Sequence, residues 1–246
     1  QVFNLGKEVP IQVETSGGTL SYVQFYGKKN RGEFDVHCYN DTSHHFNEEY
    51  SLYSDTAAYF LTWGNTPSTK HYTTIGANLS NIPAKEPFFM HRSKLVFTSV
   101  WNEGLTWQVD TELLGKSTFE GGEGFGSINQ RNFSFTIPTN HPFPNGPNAT
   151  GAFKVFTLGR YAHTLNIKSG SSIYATHNFS SWKTGKFSAA LPNSIIQAGG
   201  TNLSLEGVAN ASDIYHVAYA EITYARQFNF DGNYIFPFTM AAHSNR

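Results

Sequence analysis

Apolar and polar positions alternate with a period of two in short runs along the chain: Val9, Ile11 and Val13; Val23 and Phe25; Phe133, Phe135 and Ile137; Leu165 and Ile167; Leu203 and Leu205. Successive side chains of an extended backbone point to opposite faces, so each run predicts a strand with one buried face. Turn-forming clusters separate the runs: Ser16-Gly17-Gly18, Gly27-Lys28-Lys29-Asn30, Pro142 to Gly146, Ser169-Gly170 and Ala198-Gly199-Gly200. Short strands with turn signals at this spacing predict β-sandwich architecture.

Strong strand formers close the stretch Tyr50 to Trp63, before the turn Gly64-Asn65-Thr66-Pro67, and predict a buried strand at Ala57 to Trp63. Between Ser93 and Leu114 two readings stand: Trp101, Leu105 and Trp107 line a strand, while Glu103 and Glu112 permit a helical turn. The segment Gly115 to Asn129 is rich in glycine and short of apolar residues, as a connection between packed units would be. It divides the chain into an N-terminal β domain at 1–119 and a second β-sandwich at 120–246 that ends in a long strand at Ile214 to Arg226. No internal repeat is evident, and the expected class is all-β with two sandwich domains.

Composition sharpens this picture. Of 246 residues, 14% are charged and 15% aromatic, a mixture suited to pleated surfaces and frequent turns. A net charge of −1 with no run of Lys or Arg argues against a nucleic-acid partner. No apolar run approaches the roughly 20 residues that cross a bilayer, so no membrane insertion is expected. No basic-then-apolar leader precedes Gln1, and a leader removed upstream is the expectation. Cys38 is the single cysteine and forms no internal disulfide. Seven Asn-x-Ser/Thr sequons, at Asn40, Asn78, Asn132, Asn148, Asn178, Asn202 and Asn210, point modestly to an exposed, extracellular surface.

Candidate chemistry is sparse. Cys38 lies beside His37 and shortly before His44 and His45, but the spacing is not that of a zinc motif, and a solvated loop with a small thiol accounts for it. Gly121 to Gly126 lacks the spacing of a phosphate loop and reads as a flexible connection, with Glu120 and Glu123 solvated beside it. Asp213 alone is far short of the oxygen ligands that calcium needs. Aromatic side chains are the better binding candidates, because flat rings stack on sugars or fill pockets on a protein. Trp182 and Tyr161, with His163 near it, are the ligand-binding residues proposed on this basis; the competing role for Trp182 is to cap the sandwich core. No catalytic residue, metal or cofactor is assigned.

Several phrases resemble a known family when taken in order. Gly6-Lys7-Glu8-Val9-Pro10-Ile11, Val23-Gln24-Phe25-Tyr26-Gly27 and Ser51-Leu52-Tyr53-Ser54-Asp55-Thr56-Ala57-Ala58-Tyr59-Phe60-Leu61-Thr62-Trp63 resemble the region upstream of the catalytic domain in gingipain-family cysteine peptidases. The likeness is greatest to PorU-type, sortase-like members associated with type IX secretion in Bacteroidetes. A Glu-Gly-Glu-Gly-aromatic phrase of that region appears here as Glu120-Gly121-Gly122-Glu123-Gly124-Phe125, with one extra glycine. The second half is similar to the galactose-binding-like jelly roll of the same family, through His163-Thr164-Leu165-Asn166-Ile167, Gly200-Thr201-Asn202-Leu203-Ser204-Leu205 and Ala220-Glu221-Ile222-Thr223-Tyr224.

The family's nucleophilic Cys and its His lie in a downstream α/β domain, and no residue here matches its catalytic motifs. The resemblance therefore implies a secreted or cell-surface accessory module without catalysis. Its implied partners are a downstream peptidase domain, secreted substrate proteins or the secretion machinery. The rival readings are a carbohydrate-binding or adhesin module that engages a glycan, and an enzyme whose site is assembled from His37, Cys38 and His163.

Overall fold

The computed structural model describes residues 1–64, 66–73, 84–104, 107–109, 112–114, 118–233 and 238. Among the described residues there are strands and three short 3-10 turns but no α-helix, and no helix is long and apolar enough to cross a membrane. The sandwich is built from β6 (Phe89–Val96), β11 (Asn132–Ile137), β12 (Ala149–Leu158), β13 (Ala162–Ser169), β14 (Ser172–Ser180), β15 (Lys183–Leu191), β16 (Thr201–Gly207) and β17 (Ile214–Arg226). One antiparallel sheet runs β15-β12-β17-β6 and the other β11-β16-β13-β14. Eight strands in this order make a jelly roll.

The period-two runs fill its core. Phe133, Phe135 and Ile137, Leu165 and Ile167, and Leu203 and Leu205 meet Phe153, Val155, Tyr215, Val217, Ile222 and Tyr224 from the opposite sheet. Along β17 the inward residues step by three between Val217 and Ala220, which would turn half the strand outward. The β12–β17 register shifts between Lys154 and Val155, paired with Tyr219 and Val217, so Ala218 is the extra residue of a bulge that keeps both halves facing inward. On the outer face of β11-β16-β13-β14, the sequon residues Asn132, Asn178 and Asn202 are exposed. Alternation puts each Asn and the Ser two residues on along the same polar face, so ordinary strand patterning produces these three sequons.

Residues before the jelly roll build smaller units: a sheet of β1 (Val2–Asn4), β2 (Lys7–Val9) and β5 (Phe60–Leu61), and a hairpin of β3 (Ile11–Ser16) and β4 (Thr19–Phe25). Two features differ from the sequence expectation, and one open reading is decided. The strand placed at Ala57 to Trp63 shrinks to β5, which pairs only with β1 and is exposed: Phe60 by 64%, Leu61 by 57%, and Trp63 beyond it by 88%. Of the two readings of the 93–114 region the strand one holds: its described elements are β6, β7 (Val100–Glu103), β8 (Trp107–Val109) and β9 (Glu112–Leu114), so Glu103 and Glu112 lie in strands, and Leu105 lies outside the described residues. The boundary at 120 does not divide the sheets, because β6 pairs along β17 from Phe89↔Arg226 to Val96↔Tyr219.

The glycine-rich connection is also packed. β10 (Glu123–Gly126) pairs with β7, Glu120 is buried, and its N–H donates to the Glu123 carboxylate, so neither acid is simply solvated. Gly122 has φ +83° and presses on the Phe156 ring, where a methyl group would overlap the ring carbons. Overpacking against an immobile ring adds to the left-handed penalty for a non-glycine residue. Gly122→Ala is therefore expected to cost about 2–3 kcal/mol, read as a lower urea midpoint at unchanged m value.

The N-terminal part is fastened to the outer face of β15-β12-β17-β6. Phe46 is fully buried against Phe156, Ala218 and Tyr219. The Asn47 amide donates to the carbonyls of Phe125 at 2.9 Å and Phe97 at 3.3 Å. Around this anchor, Lys154 pairs with Glu48 at 2.8 Å, and Lys94 pairs with Glu49 and, at 3.0 Å, with Glu221.

Candidate functional site

A groove of about 630 Å³ lies in the N-terminal part, lined by Leu5, Pro10, Tyr26, Phe34, Tyr59 and Tyr72 among others. β1 and β2 are joined by a two-residue loop, Leu5-Gly6, with Asn4↔Lys7 closing the hairpin. Both loop residues have positive φ, 54° and 73°, as the tight hairpin turns of this length that suit the strand twist require. Asn-Gly is the usual solution. Leucine in the left-handed region costs about 1–2 kcal/mol, and here its side chain is 53% exposed on the lip of the groove. Strain held at an exposed apolar position is a signal of use by a partner.

Hydrogen bonds fix the groove walls. The Tyr59 hydroxyl accepts from Lys28 N at 2.6 Å and also lies 3.1 Å from Lys28 O, while the Tyr72 hydroxyl accepts from Tyr26 N at 2.8 Å. Asn30 spans the gap between the two wall segments, donating through Nδ2 to Ser54 O at 2.7 Å and through its backbone N to Asp55 O at 3.1 Å. The Phe25 and Tyr59 rings pack at 5.1 Å. The concavity is thus preformed and mostly apolar, with polar groups at its edge, as binding sites generally are.

The site is not legible in the sequence, where Gly27-Lys28-Lys29-Asn30 reads as a turn and Tyr59 as part of a buried strand. The available signal was Leu5 beside Gly6 between two short strand-like segments.

The residues nominated from sequence are placed otherwise. His163 is fully buried: its Nδ1 lies 2.7 Å from Asp213 Oδ1 and its Nε2 3.3 Å from Gly159 O. Asp213 also accepts from the Tyr215 hydroxyl at 2.7 Å, Ala209 N at 2.9 Å and Thr164 N at 3.1 Å. Burial by itself would raise the Asp213 pKa, but these hydrogen bonds outweigh it and hold the carboxyl below the usual range. With both oxygens engaged, the group is a structural clasp that joins the loop before β17 to β13. Tyr161 sits over this clasp, its ring 4.8 Å from that of His163 and its hydroxyl bonded to Ser212 O.

Trp182 is half-buried, packs against the Phe46 cluster and carries the Arg160 guanidinium 4.5 Å from its ring centre. A sugar stacking on that face would have to displace Arg160. Cys38 ends a 3-10 turn and its thiol hydrogen-bonds with the Tyr53 hydroxyl, while the His163 ring nitrogens face Asp213 and Gly159 O. Among the described residues, no group of three or more His, Cys, Asp or Glu is placed to hold a metal ion.

One buried histidine makes stability depend on pH. His216 stacks on Phe156 at 5.8 Å, and burial lowers its pKa to about 4. The unfolded state takes up the proton near the ordinary histidine value of 6.5, so stability falls as pH drops from 6.5 towards 4. The expected loss is about 3 kcal/mol by pH 4. Burial lowers the pKa values of His45 and His91 too, with the same sign. In His216→Phe the acid-side decline in urea midpoint should be shallower than in the parent; an unchanged decline would remove His216 as its source.

Fold and surface together define the class: an all-β module made of a jelly roll and an N-terminal β appendage that carries an apolar groove. No family model and no curated protein matches the sequence. Among solved structures, that of dimeric latent PorU from Porphyromonas gingivalis matches 91% of this chain at 13% identity, with a TM-score of 0.50. The match covers 20% of the PorU chain, so the protein spans a small part of that molecule's length. The CBM36-1 domain of a multidomain xylanase from the hindgut metagenome of Trinervitermes trinervoides matches 54% of this chain and 95% of its own at 10% identity, with a TM-score of 0.31. The C-terminal CBM6 of LamC from Zobellia galactanivorans matches 54% of this chain and 99% of its own at 15% identity, with a TM-score of 0.27. At these identities the PorU likeness is one of fold.

Proposed function

We propose that the chain is a non-catalytic docking module of a secreted or cell-surface gingipain-like protein, which uses the N-terminal groove to hold a protein segment and so positions a peptidase domain or its protein substrate. The observation that carries this reading is the preformed apolar groove with Leu5 held in a strained conformation at its lip. The fold shared with a portion of PorU supports the setting, as does the order of family-like phrases along the sequence.

Leu5→Asn separates docking from folding. Asparagine tolerates the left-handed region, so this variant should be about 1 kcal/mol more stable than the parent. It should nevertheless bind the region encoded after residue 246 in the parent reading frame more weakly, by about tenfold in calorimetric titration. Undiminished binding would remove the groove from the interface. A reading frame with no such region would overturn the role beside a peptidase.

A further inference from the structure

The rim of the groove adds charge to its apolar walls. Lys28 and Lys29 line it and are exposed, and among the described residues neither pairs with a carboxylate. Among the described residues, four of the five lysines on the jelly-roll strands, Lys94, Lys154, Lys168 and Lys186, carry a Glu partner, and the fifth, Lys183, lies over the Phe179 ring. The one acidic residue of the groove, Glu33, accepts the backbone N–H of Arg31 at 3.1 Å. Arg31 itself is turned away to Glu49 at 3.0 Å, so it does not neutralise Glu33 from the groove side. The groove mouth thus presents two cations against one partly engaged carboxylate, above a floor of aromatic and aliphatic side chains.

Resting on the docking reading above, we infer that the groove takes an extended peptide segment in which an apolar or aromatic anchor residue is flanked by acidic residues. The anchor enters between Phe34 and Tyr59, and the carboxylates meet Lys28 and Lys29 at the rim. The two lysines follow Gly27 on a wall whose backbone is held by Tyr59, so both line the groove without ordering a mobile loop. Binding in a preformed wall of this kind spends little free energy on loop ordering. Complementary charge at the rim selects the partner and its orientation, while the apolar floor supplies most of the affinity.

The test uses the whole chain and two short synthetic peptides, acetyl-Asp-Asp-Gly-Phe-Leu-amide and acetyl-Lys-Lys-Gly-Phe-Leu-amide, titrated and followed by amide NMR. The acidic peptide should bind at least about tenfold more tightly, with saturable shifts at Leu5, Lys28, Phe34 and Tyr59. The preference should narrow as salt is raised. The double variant Lys28→Glu, Lys29→Glu should reverse it, and Phe34→Ala, at an exposed position, should weaken both peptides without lowering stability. Equal affinity for the two peptides, or no saturable shift with either, overturns the inference. If the peptides fail while the region encoded after residue 246 still binds in a Leu5-dependent way, this inference falls alone. If both fail, the docking function falls with it.

Discussion

Asp213→Ala should destabilise the protein by about 3–5 kcal/mol, a large share of the roughly 5–15 kcal/mol that holds a domain folded. The carboxylate is fully buried and accepts from His163, Tyr215, Thr164 and Ala209, so its removal strips three donors of their acceptor inside the sandwich and leaves the Tyr215 hydroxyl only Thr164 O. Tyr215→Phe removes one of these bonds and should cost about 1 kcal/mol, which gives the scale for a single hydrogen bond at the same place. The carboxyl pKa is held below its unfolded value, so its contribution is complete at neutral pH and is lost as pH falls through the folded pKa. Urea unfolding of parent and both variants at pH 7 decides the matter. An Asp213→Ala loss no larger than that of Tyr215→Phe would mean that the clasp does not act as a unit.

Phe46→Ala is the second large effect, about 3–5 kcal/mol. The ring fills the space between Phe156, Ala218 and Tyr219 and touches the glycine backbone of β10 at Gly126. Those groups sit on the outer face of a sheet whose other face already belongs to the jelly-roll core, so the cavity opens at the junction and leaves the sandwich intact. Hydrogen exchange should therefore speed up across residues 1–64 while the amides of β12, β13 and β16 keep their protection. Equal acceleration in both regions would show that the appendage and the jelly roll unfold as one cooperative body. The ion pairs of Lys94 and Lys154 with Glu49 and Glu48 surround this anchor, but the cost of desolvating the largely buried lysines offsets most of their attraction, so their net contribution is small beside the ring.

The two regions also differ in how their surfaces are managed. The outer face of β11-β16-β13-β14 is ordered by polar contacts such as Thr136 to Asn202 at 2.6 Å, Thr176 to Asn166 at 2.7 Å and Lys168 to Glu206 at 2.8 Å. The appendage instead exposes Leu5, Leu20, Tyr22, Phe34, Phe60 and Trp63. A soluble surface rarely carries so many large apolar groups close together unless something covers them. The docking role proposed above predicts this asymmetry.

What the sequence determined by itself is the set of strands whose buried faces alternate locally. The runs at Phe133 to Ile137, Leu165 to Ile167 and Leu203 to Leu205 became core strands, and the long strand at Ile214 to Arg226 has the bounds read from the sequence, because a period of two is written within a few residues. The all-β class follows from the same local signal.

Tertiary structure decided the rest, because it depends on partners far apart in the chain. β6 joins the jelly roll only by pairing with the other end of the sequence, at Phe89↔Arg226. His163 looked like a ligand-binding residue until Asp213 and Tyr215 closed over it. The strand-like phrase ending at Trp63 stayed exposed because, among the described residues, no second layer lies over β5, and a strand is buried only by what packs upon it. The groove has the same origin: Leu5, Lys28, Phe34 and Tyr59 are unremarkable where they stand in the sequence, and become a site only when three separate loops are brought to one wall.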